Sequence, residues 1–224
     1  MALELILFDM DGTMVRYEGS YHSSWDAIGR AAGIWDQWKE SLAYYIDKPE
    51  LYPEWFAKNC SNLAGIPTSK VFPAIFPPPY APGLKEFCTY LTEQGITQGI
   101  VSSGVDFVAE KLKQELNLDF ALANEVHIQE GYFTGTGRIN VPLWKKGEVV
   151  KVTLIQQKTS PENTAFIGDN ENDVSAWREV GLPLAINLTK NSPASNLSCQ
   201  PHIQGSFDDF YQVKEFLINY LNQQ

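Results

Sequence analysis

The spacing of apolar residues divides this chain of 224 residues into short continuous runs and longer periodic segments. The runs at 3–8 and 96–102 have the length of strands that are buried on both faces of a sheet. The segment 83–94 instead carries apolar residues at three- and four-residue intervals, which predicts an amphipathic helix. Because such strands and helices alternate after residue 81, we predict an α/β fold with a doubly wound parallel sheet.

The same pattern predicts the other elements of this sheet. Further strands are predicted at 120–126, 164–167 and 184–187, and further helices at 105–116, 149–157, 172–180 and 208–221. The segment 127–134, with Glu130-Gly131 at its centre, is typical of a hairpin. Ser206, followed three residues later by Asp209, predicts a variant capping box at the start of the last helix.

The segment 15–80 interrupts the alternation of strands and helices. It contains four of the six tryptophans and several helical patches, but its pattern predicts no strand. We interpret it as a mostly helical insertion after the first strand, with the tryptophans in its own small core. The predicted domains are therefore a core domain of residues 1–14 and 81–224 and a helical cap domain of residues 15–80, called the cap segment below.

Polar side chains follow three of the predicted strands, and ligands of open α/β sheets bind at the carboxyl ends of strands. These residues are Asp9 and Asp11, then Ser102 and Ser103, then Asp169 and Asp173. Two like charges about 4 Å apart repel by roughly 4 kcal/mol at an effective dielectric constant of about 20. A hard divalent cation with oxygen ligands relieves that repulsion, so four carboxylates at one sheet edge predict a Mg²⁺ site. Lys146 is the second candidate for a compensating charge.

Four motifs occur in order along the chain, namely FDMDGT at 8–13, IVSSG at 100–104, KKG at 145–147 and GDNEND at 168–173. Together they resemble the four motifs of the haloacid dehalogenase superfamily of phosphatases. Within that superfamily, the stretch 100–135 with its glycine-containing hairpin is similar to the phosphoserine phosphatases. The resemblance covers residues 3–186 and implies a Rossmann-like core with a helical cap that closes over the active site.

The resemblance also implies a role for each acidic residue. Asp9 would be the nucleophile that forms an aspartyl-phosphate, and Asp11 the general acid and then the general base. Mg²⁺ would be held by Asp9, the backbone carbonyl of Asp11, Asp169 and Asp173. An aspartate at the position of Asp11 favours a phosphatase or a mutase over the dehalogenases and transport ATPases, which lack that acid.

The resemblance also implies which residues contact the phosphate group of the substrate. Ser102 would hold a phosphate oxygen, and Lys146 would neutralise the nucleophile and the phosphoryl group. Asn172 would contact the substrate phosphate, and so would the backbone N–H groups at Met10, Ser103 and Gly104. These residues complete the predicted site with the acids above.

Two positions of the cap segment bear on the substrate. Glu18 matches a glutamate that contacts the substrate amino group in phosphoserine phosphatases. Alignment on Ile66-Pro67 places Asn59 where those enzymes carry an arginine that grips the substrate carboxylate, and asparagine does not replace a bidentate guanidinium. We therefore expect a small phosphate monoester other than, or broader than, phosphoserine, such as an amino-alcohol phosphate.

Two alternatives to a phosphatase stay open. Residues 21–25 resemble the start of the cap in β-phosphoglucomutase-like proteins, which suggests a phosphomutase, although GDNEND is not their usual motif. A non-catalytic binding module on the same fold is the second alternative. Such modules usually lack a nucleophile or a metal aspartate, and Asp9 and Asp169 are both present.

The composition limits which classes of partner we expect. With 17 basic and 27 acidic residues, the net charge is −10. This charge argues against nucleic acids and anionic membranes as main partners, because both require a basic surface. Three scattered cysteines suggest neither a disulfide framework nor a zinc site. We expect a cytoplasmic enzyme whose partner is a small phosphorylated metabolite, and the oligomeric state stays open.

Overall fold

A seven-stranded sheet forms the centre of the computed structural model, which describes residues 3–17, 23–45, 47–186 and 203–223. Its order is β4-β3-β2-β1-β5-β6-β7, and only the β3–β4 pair is antiparallel. The strands are β1 (Leu5–Phe8), β2 (Thr97–Val105), β3 (Phe120–Gln129), β4 (Tyr132–Arg138), β5 (Thr164–Gly168), β6 (Leu182–Ile186) and β7 (Gly205–Phe207). The predicted α/β fold with a mostly parallel sheet is confirmed.

Nine α-helices accompany the sheet in the part of the chain that the structure describes. They are α1 (Ser24–Ala32), α2 (Trp35–Tyr45), α3 (Tyr52–Asn62), α4 (Thr68–Ile75), α5 (Leu84–Glu93), α6 (Asp106–Leu116), α7 (Lys146–Gln157), α8 (Val174–Trp177) and α9 (Phe210–Asn222). Short 3₁₀ turns lie at Pro49–Leu51, Pro161–Asn163 and Glu171–Asp173.

The two faces of the sheet bury two separate apolar clusters, as a doubly wound fold requires. Side chains alternate along a strand, so Ile6 and Phe8 of β1 pack on one face with residues of α5, α6 and α9. Leu5 and Leu7 pack on the other face with residues of α7 and α8. All four β1 residues are buried, and β1 lies between β2 and β5. The strand therefore carries the residue that follows it, Asp9, to the middle of the sheet edge.

The predicted hairpin is present between β3 and β4. Glu130 and Gly131 both have positive φ, at 50° and 80°, which is the backbone of a two-residue type I′ turn. The strands extend beyond the predicted segment on either side of this turn.

Two predicted features differ from the structure. The helix predicted at 172–180 is a 3₁₀ turn followed by the four-residue α8, because the Asp173 side chain folds back onto the backbone N–H groups of Asp169 and Asn170. The capping box at Ser206 is wrong. Ser206 lies in the short strand β7, and Asp209 alone caps α9 by accepting a hydrogen bond from the Gln212 N–H.

The cap segment contains α1 to α4, and its aromatic side chains pack against each other and against the sheet. The Trp25 ring lies 5.5 Å from Trp38 and 5.9 Å from Phe56, measured between ring centroids. Phe56 also lies beside Gly137 of β4, where a Cβ would come within 2.9 Å of the ring. The aromatic cluster is therefore shared with the hairpin, and a separate cap domain at 15–80 stays a prediction.

Candidate active site

A cleft of about 580 Å³ opens at the carboxyl ends of β1, β2 and β5. One end is charged and the other is aromatic. The charged end is lined by Asp9, Asp11, Ser102, Ser103, Gly104, Lys146, Asp169, Asn170 and Asn172. The aromatic end is lined by Tyr17, Trp25, Leu42, Tyr52, Trp55 and Leu143. Most of it comes from the cap segment.

The turn after β1 brings the charged residues together. The Asp9 N–H donates to the Ile167 carbonyl of β5 at 2.9 Å, which continues the sheet one residue past the strand. Gly12 has a φ of +85°, and a Cβ at this residue would lie 2.2 Å from a carboxylate oxygen of Asp169. Glycine therefore allows both the left-handed backbone and the close approach of the two acidic loops.

Lys146 lies at the centre of the charged end and is almost fully buried, with 1% of its surface exposed. Its Nζ lies 3.0 Å from Oδ1 of Asp9 and 2.5 Å from Oδ1 of Asp173. Burial works against the charged ammonium, but the two carboxylates outweigh it and hold the pKa of Lys146 above its usual value. The lysine thus stays charged and compensates the acids around it. It is the first residue of α7, which begins three residues earlier than predicted.

Asp9, Asp169 and Asp173 each place a carboxylate oxygen within 4.8 Å of the others. Burial and the charges of Asp173 and Asp9 hold the pKa of Asp169 well above its usual range. Burial likewise raises the pKa of Asp173, although Lys146 opposes the shift. Three mutually repelling oxygen ligands are the donor set that suits a hard divalent cation, so these residues fit Mg²⁺.

Asp11 faces the cap segment. The Ser24 N–H donates to its Oδ1 at 2.9 Å, and the Ser24 hydroxyl donates to its Oδ2 at 2.7 Å. Burial raises the pKa of Asp11 to about 7, even though both hydrogen bonds favour the ionised form. A carboxyl group with that pKa is protonated in part at neutral pH, which suits exchange of a proton with a bound ligand.

The SSG motif lies in the last residues of β2, where pairing with β3 shifts register between Val101 and Val105. The strand therefore runs past Ser102, where the sequence pattern ends it. The Ser102 hydroxyl accepts a hydrogen bond from the Gly104 N–H at 3.1 Å. The Ser103 hydroxyl is buried and has no hydrogen-bond partner, so it is ready to bond a ligand in the cleft.

Three other predicted site residues lie away from the cleft wall or outside the described residues. Met10 is fully buried, and its side chain packs against Gly104. A Cβ at Gly104 would lie 2.4 Å from the end of the Met10 side chain. Asp173 is also fully buried, beneath the cleft, and acts on it through Lys146 and the backbone of Asp169. Glu18 falls outside the described residues.

Asn59 does not line the cleft. It is 1% exposed in α3, and its Oδ1 has no hydrogen-bond partner. The position aligned with the carboxylate-binding arginine therefore does not supply a substrate contact here.

Several residues of the site are not among the predicted site residues. Ser24 of the cap segment donates to Asp11. Thr13 and Asn170 lie within the motifs but have no predicted role, and they donate to Oδ1 of Asp169 at 3.1 Å and 3.3 Å. Asn124 is fully buried in β3 and donates both to the Ser103 carbonyl and to the Tyr52 hydroxyl, at 3.0 Å each. It ties the end of β2 to the cap segment. An asparagine inside a strand is the signal that could have revealed this residue, because asparagine is uncommon there.

Comparison with known proteins agrees with this geometry. The model of the haloacid dehalogenase-like hydrolases matches residues 6–178. The chain belongs to this family. It is 31% identical over 183 residues to a phosphoserine phosphatase of Methanocaldococcus jannaschii, covering 81% of this chain and 84% of that protein. A phosphoserine phosphatase of Archaeoglobus fulgidus is 30% identical over 185 residues, covering 82% of this chain and 52% of the relative.

A solved structure agrees with these sequence relatives. A phospho-aspartyl intermediate analogue of phosphoserine phosphatase has a TM-score of 0.77 and 26% identity, and the match covers 96% of this chain and 99% of that one. The predicted family and the class of phosphoric monoester hydrolase are thus confirmed for this haloacid dehalogenase-like hydrolase. Within the described residues, no helix has both the length and the apolar character needed to cross a lipid bilayer.

Proposed function

We propose that this hydrolase is a Mg²⁺-dependent phosphatase that cleaves small phosphate monoesters through an aspartyl-phosphate on Asp9. The observation that carries the proposal is that Asp9 and Asp11, two residues apart after β1, turn their carboxyl groups to different partners. Asp9 is held by Lys146 in the charged end, while Asp11 faces the cap segment with a pKa raised to about 7. Asp9 lies against the Lys146 ammonium in position to attack, and Asp11 can hold a proton to give.

The reaction has two balanced steps. In the first, a carboxylate oxygen of Asp9 forms a bond to phosphorus while the ester P–O bond breaks, and Asp11 gives its proton to the departing alkoxide. In the second, Asp11 takes a proton from water, the water oxygen bonds to phosphorus, and the bond from Asp9 to phosphorus breaks. Asp11 is then protonated and Asp9 is free again, so the enzyme returns to its starting state.

The surrounding residues position the phosphoryl group. Lys146 neutralises charge, and Ser102, Ser103 and Asn172 line the space in front of Asp9. Asp9 and Asp169, with Asp173 and the Asp11 backbone carbonyl, would hold Mg²⁺. When bound, the ion would supply positive charge against the phosphoryl oxygens.

The aromatic end supports a leaving group less polar than serine. Arg16 and Lys146 are the two cations among the described lining residues, and the Arg16 guanidinium donates to the Asp208 carbonyl at 2.7 Å. The rings of Tyr17, Trp25, Tyr52 and Trp55 surround the rest of the space, with the acidic Asp26 at its border. Ring faces and a carboxylate attract an ammonium group, so we propose an amino-alcohol phosphate as the substrate class.

Phosphate release from a panel of monoesters, with Mg²⁺ and with EDTA, tests this function. Phosphoethanolamine and phosphoserine form the matched pair within the panel, because they differ only in the carboxylate. We expect release only with Mg²⁺ and a higher kcat/KM for phosphoethanolamine. A wide preference for phosphoserine contradicts the substrate class, and no release from any ester contradicts the phosphatase and directs attention to sugar-phosphate interconversion by a mutase.

A further inference from the structure

Ser24 makes two direct hydrogen bonds to the carboxyl group of Asp11. Its backbone N–H reaches Oδ1 of Asp11 and its hydroxyl reaches Oδ2, so both oxygens of Asp11 have a partner on the cap segment. Ser24 is fully buried and opens α1, where backbone N–H groups have no partner within the helix. The first turn of α1 therefore fixes both the rotation and the depth of the Asp11 carboxyl group.

The residues on either side of Ser24 make other hydrogen bonds. Ser23 caps α1 by accepting a hydrogen bond from the Asp26 N–H at 3.2 Å. The Trp25 indole donates to the Ser103 carbonyl at 3.4 Å, which anchors the start of the helix to the end of β2. With the cap and the anchor supplied by its neighbours, Ser24 has its side chain committed to Asp11.

We propose that Ser24 is a positioning residue for proton transfer by Asp11 in the phosphatase reaction, a role that rests on the proposed function. The Ser24 hydroxyl can donate to Oδ2 whether or not that oxygen carries the proton, because the oxygen keeps acceptor capacity in both states. The backbone N–H keeps Oδ1 in place throughout. Oδ2 is then the atom that delivers the proton to the leaving oxygen and recovers one from water.

A purely structural role for Ser24 predicts a different result. If the contact only joins the cap segment to the sheet, its loss lowers activity on every ester by the same factor. If it positions the acid, the loss falls on esters whose leaving group needs a proton. An alkyl alkoxide needs one, whereas p-nitrophenolate leaves without it.

The experiment compares kcat/KM for an alkyl ester, phosphoethanolamine, with kcat/KM for p-nitrophenyl phosphate in the full-length Mg²⁺-loaded enzyme. This parameter reports the first chemical step, so the later need for a base does not enter. We expect Ser24→Ala to lower kcat/KM about tenfold to a hundredfold on the alkyl ester and less than about threefold on the aryl ester, part of the 10²- to 10⁴-fold that general acids supply. Ser24→Thr keeps both donors and should restore the alkyl activity.

Ser23→Ala is the matched control, because it weakens the same helix without a contact to Asp11. Its effect on the two esters should be equal, and its thermal midpoint should fall at least as far as that of Ser24→Ala. Asp11→Asn removes the acid itself, so it shows the largest difference between the two esters that loss of proton transfer can produce. Equal losses on both esters in Ser24→Ala, with discrimination retained in Asp11→Asn, would overturn the role of Ser24 alone. No hydrolysis of either ester by the wild type would overturn the proposed phosphatase together with it.

Discussion

The two ends of the cleft are built by different means. The charged end comes from the carboxyl ends of parallel strands and from the start of α7. Its residues are buried or half-buried, and several are bonded to one another, as Lys146 is to Asp9 and Asp173. The aromatic end comes mainly from helices of the cap segment, and its rings meet through packing. The charged end is thus fixed by backbone and charge, whereas the aromatic end depends on the shape of side chains. We expect chemistry to fail when the first is changed and selectivity to change when the second is altered.

The largest expected effect follows from removing the nucleophile. Asp9→Asn keeps the shape of the side chain but loses the attacking carboxylate, so kcat should fall at least about 10⁴-fold, in line with losses of catalytic nucleophiles. Steady-state phosphate release measures it. Asp36→Asn, an exposed aspartate on α2, is the control and should retain wild-type activity. Appreciable turnover by Asp9→Asn would contradict the assignment.

Loss of the central lysine should damage both activity and stability. Lys146→Met leaves Asp9 and Asp173 buried without their cation, and removal of one partner of a buried pair costs about 3–5 kcal/mol of unfolding free energy. Urea denaturation measures this cost. Lys145→Met is the matched control, because Lys145 is exposed and lies 3.7 Å from Glu148 on the surface. Its expected loss is below about 1 kcal/mol, and equal losses in the two variants would show that the charged end does not depend on Lys146.

Mg²⁺ should stabilise the protein more at pH 8 than at pH 5. The raised pKa of Asp169 and Asp173 means that the folded, metal-free protein holds protons that the unfolded chain has released. Its stability should therefore fall as the pH rises from about 4 through the pKa of Asp173 at about 6. A cation replaces those protons, so the metal-induced rise in thermal midpoint should grow with pH.

Thermal unfolding with Mg²⁺ and with EDTA measures this effect. Asp169→Asn serves as the comparison, and its midpoint should respond less to the ion at either pH. A metal-induced rise that is larger at pH 5 than at pH 8 would be inconsistent with carboxylate ligands.

The smallest expected effect lies at the aromatic end. Trp55→Leu should leave the hydrolysis of an ester too short to reach this end, such as methyl phosphate, nearly unchanged. It should lower kcat/KM for esters with larger or cationic leaving groups about tenfold, since a few methylene-sized contacts are worth about 1–3 kcal/mol. Trp35→Leu is the control, because Trp35 packs under the Arg30 guanidinium and does not line the cleft. A uniform loss on all esters in Trp55→Leu would mean that the two ends are not separable.

The contrast between the charged end and the cap segment explains which site residues the sequence could predict. Asp9, Ser102 and Asp169 lie in short motifs at the ends of strands, and Lys146 lies in a motif at the start of α7. Local sequence fixes the backbone at these places, and the structure brings the four residues into one cleft. Ser24 has no such motif. It reaches Asp11 only through the packing of α1 on the sheet, and that packing depends on the tertiary arrangement of distant aromatic residues.

Local competition explains the other differences. Asp173 has helix-forming neighbours, yet its carboxylate bonds backbone groups of the preceding loop, which shortens the helix to α8. Asn59 shows a limit of sequence comparison. Anchoring on Ile66-Pro67 places it where phosphoserine phosphatases carry a substrate-binding arginine, but the structure buries it in α3, where it is 1% exposed.

The central claim is the aspartyl-phosphate on Asp9, and chemical trapping tests it most directly. The enzyme is mixed with Mg²⁺ and phosphoethanolamine, quenched in acid during the first turnover and treated with borohydride, which reduces an acyl phosphate to an alcohol. Peptide mass spectrometry should then find homoserine in place of Asp9, and Asp11 unchanged. Phosphate release in the absence of any modification at Asp9, or homoserine at another residue, would contradict the account.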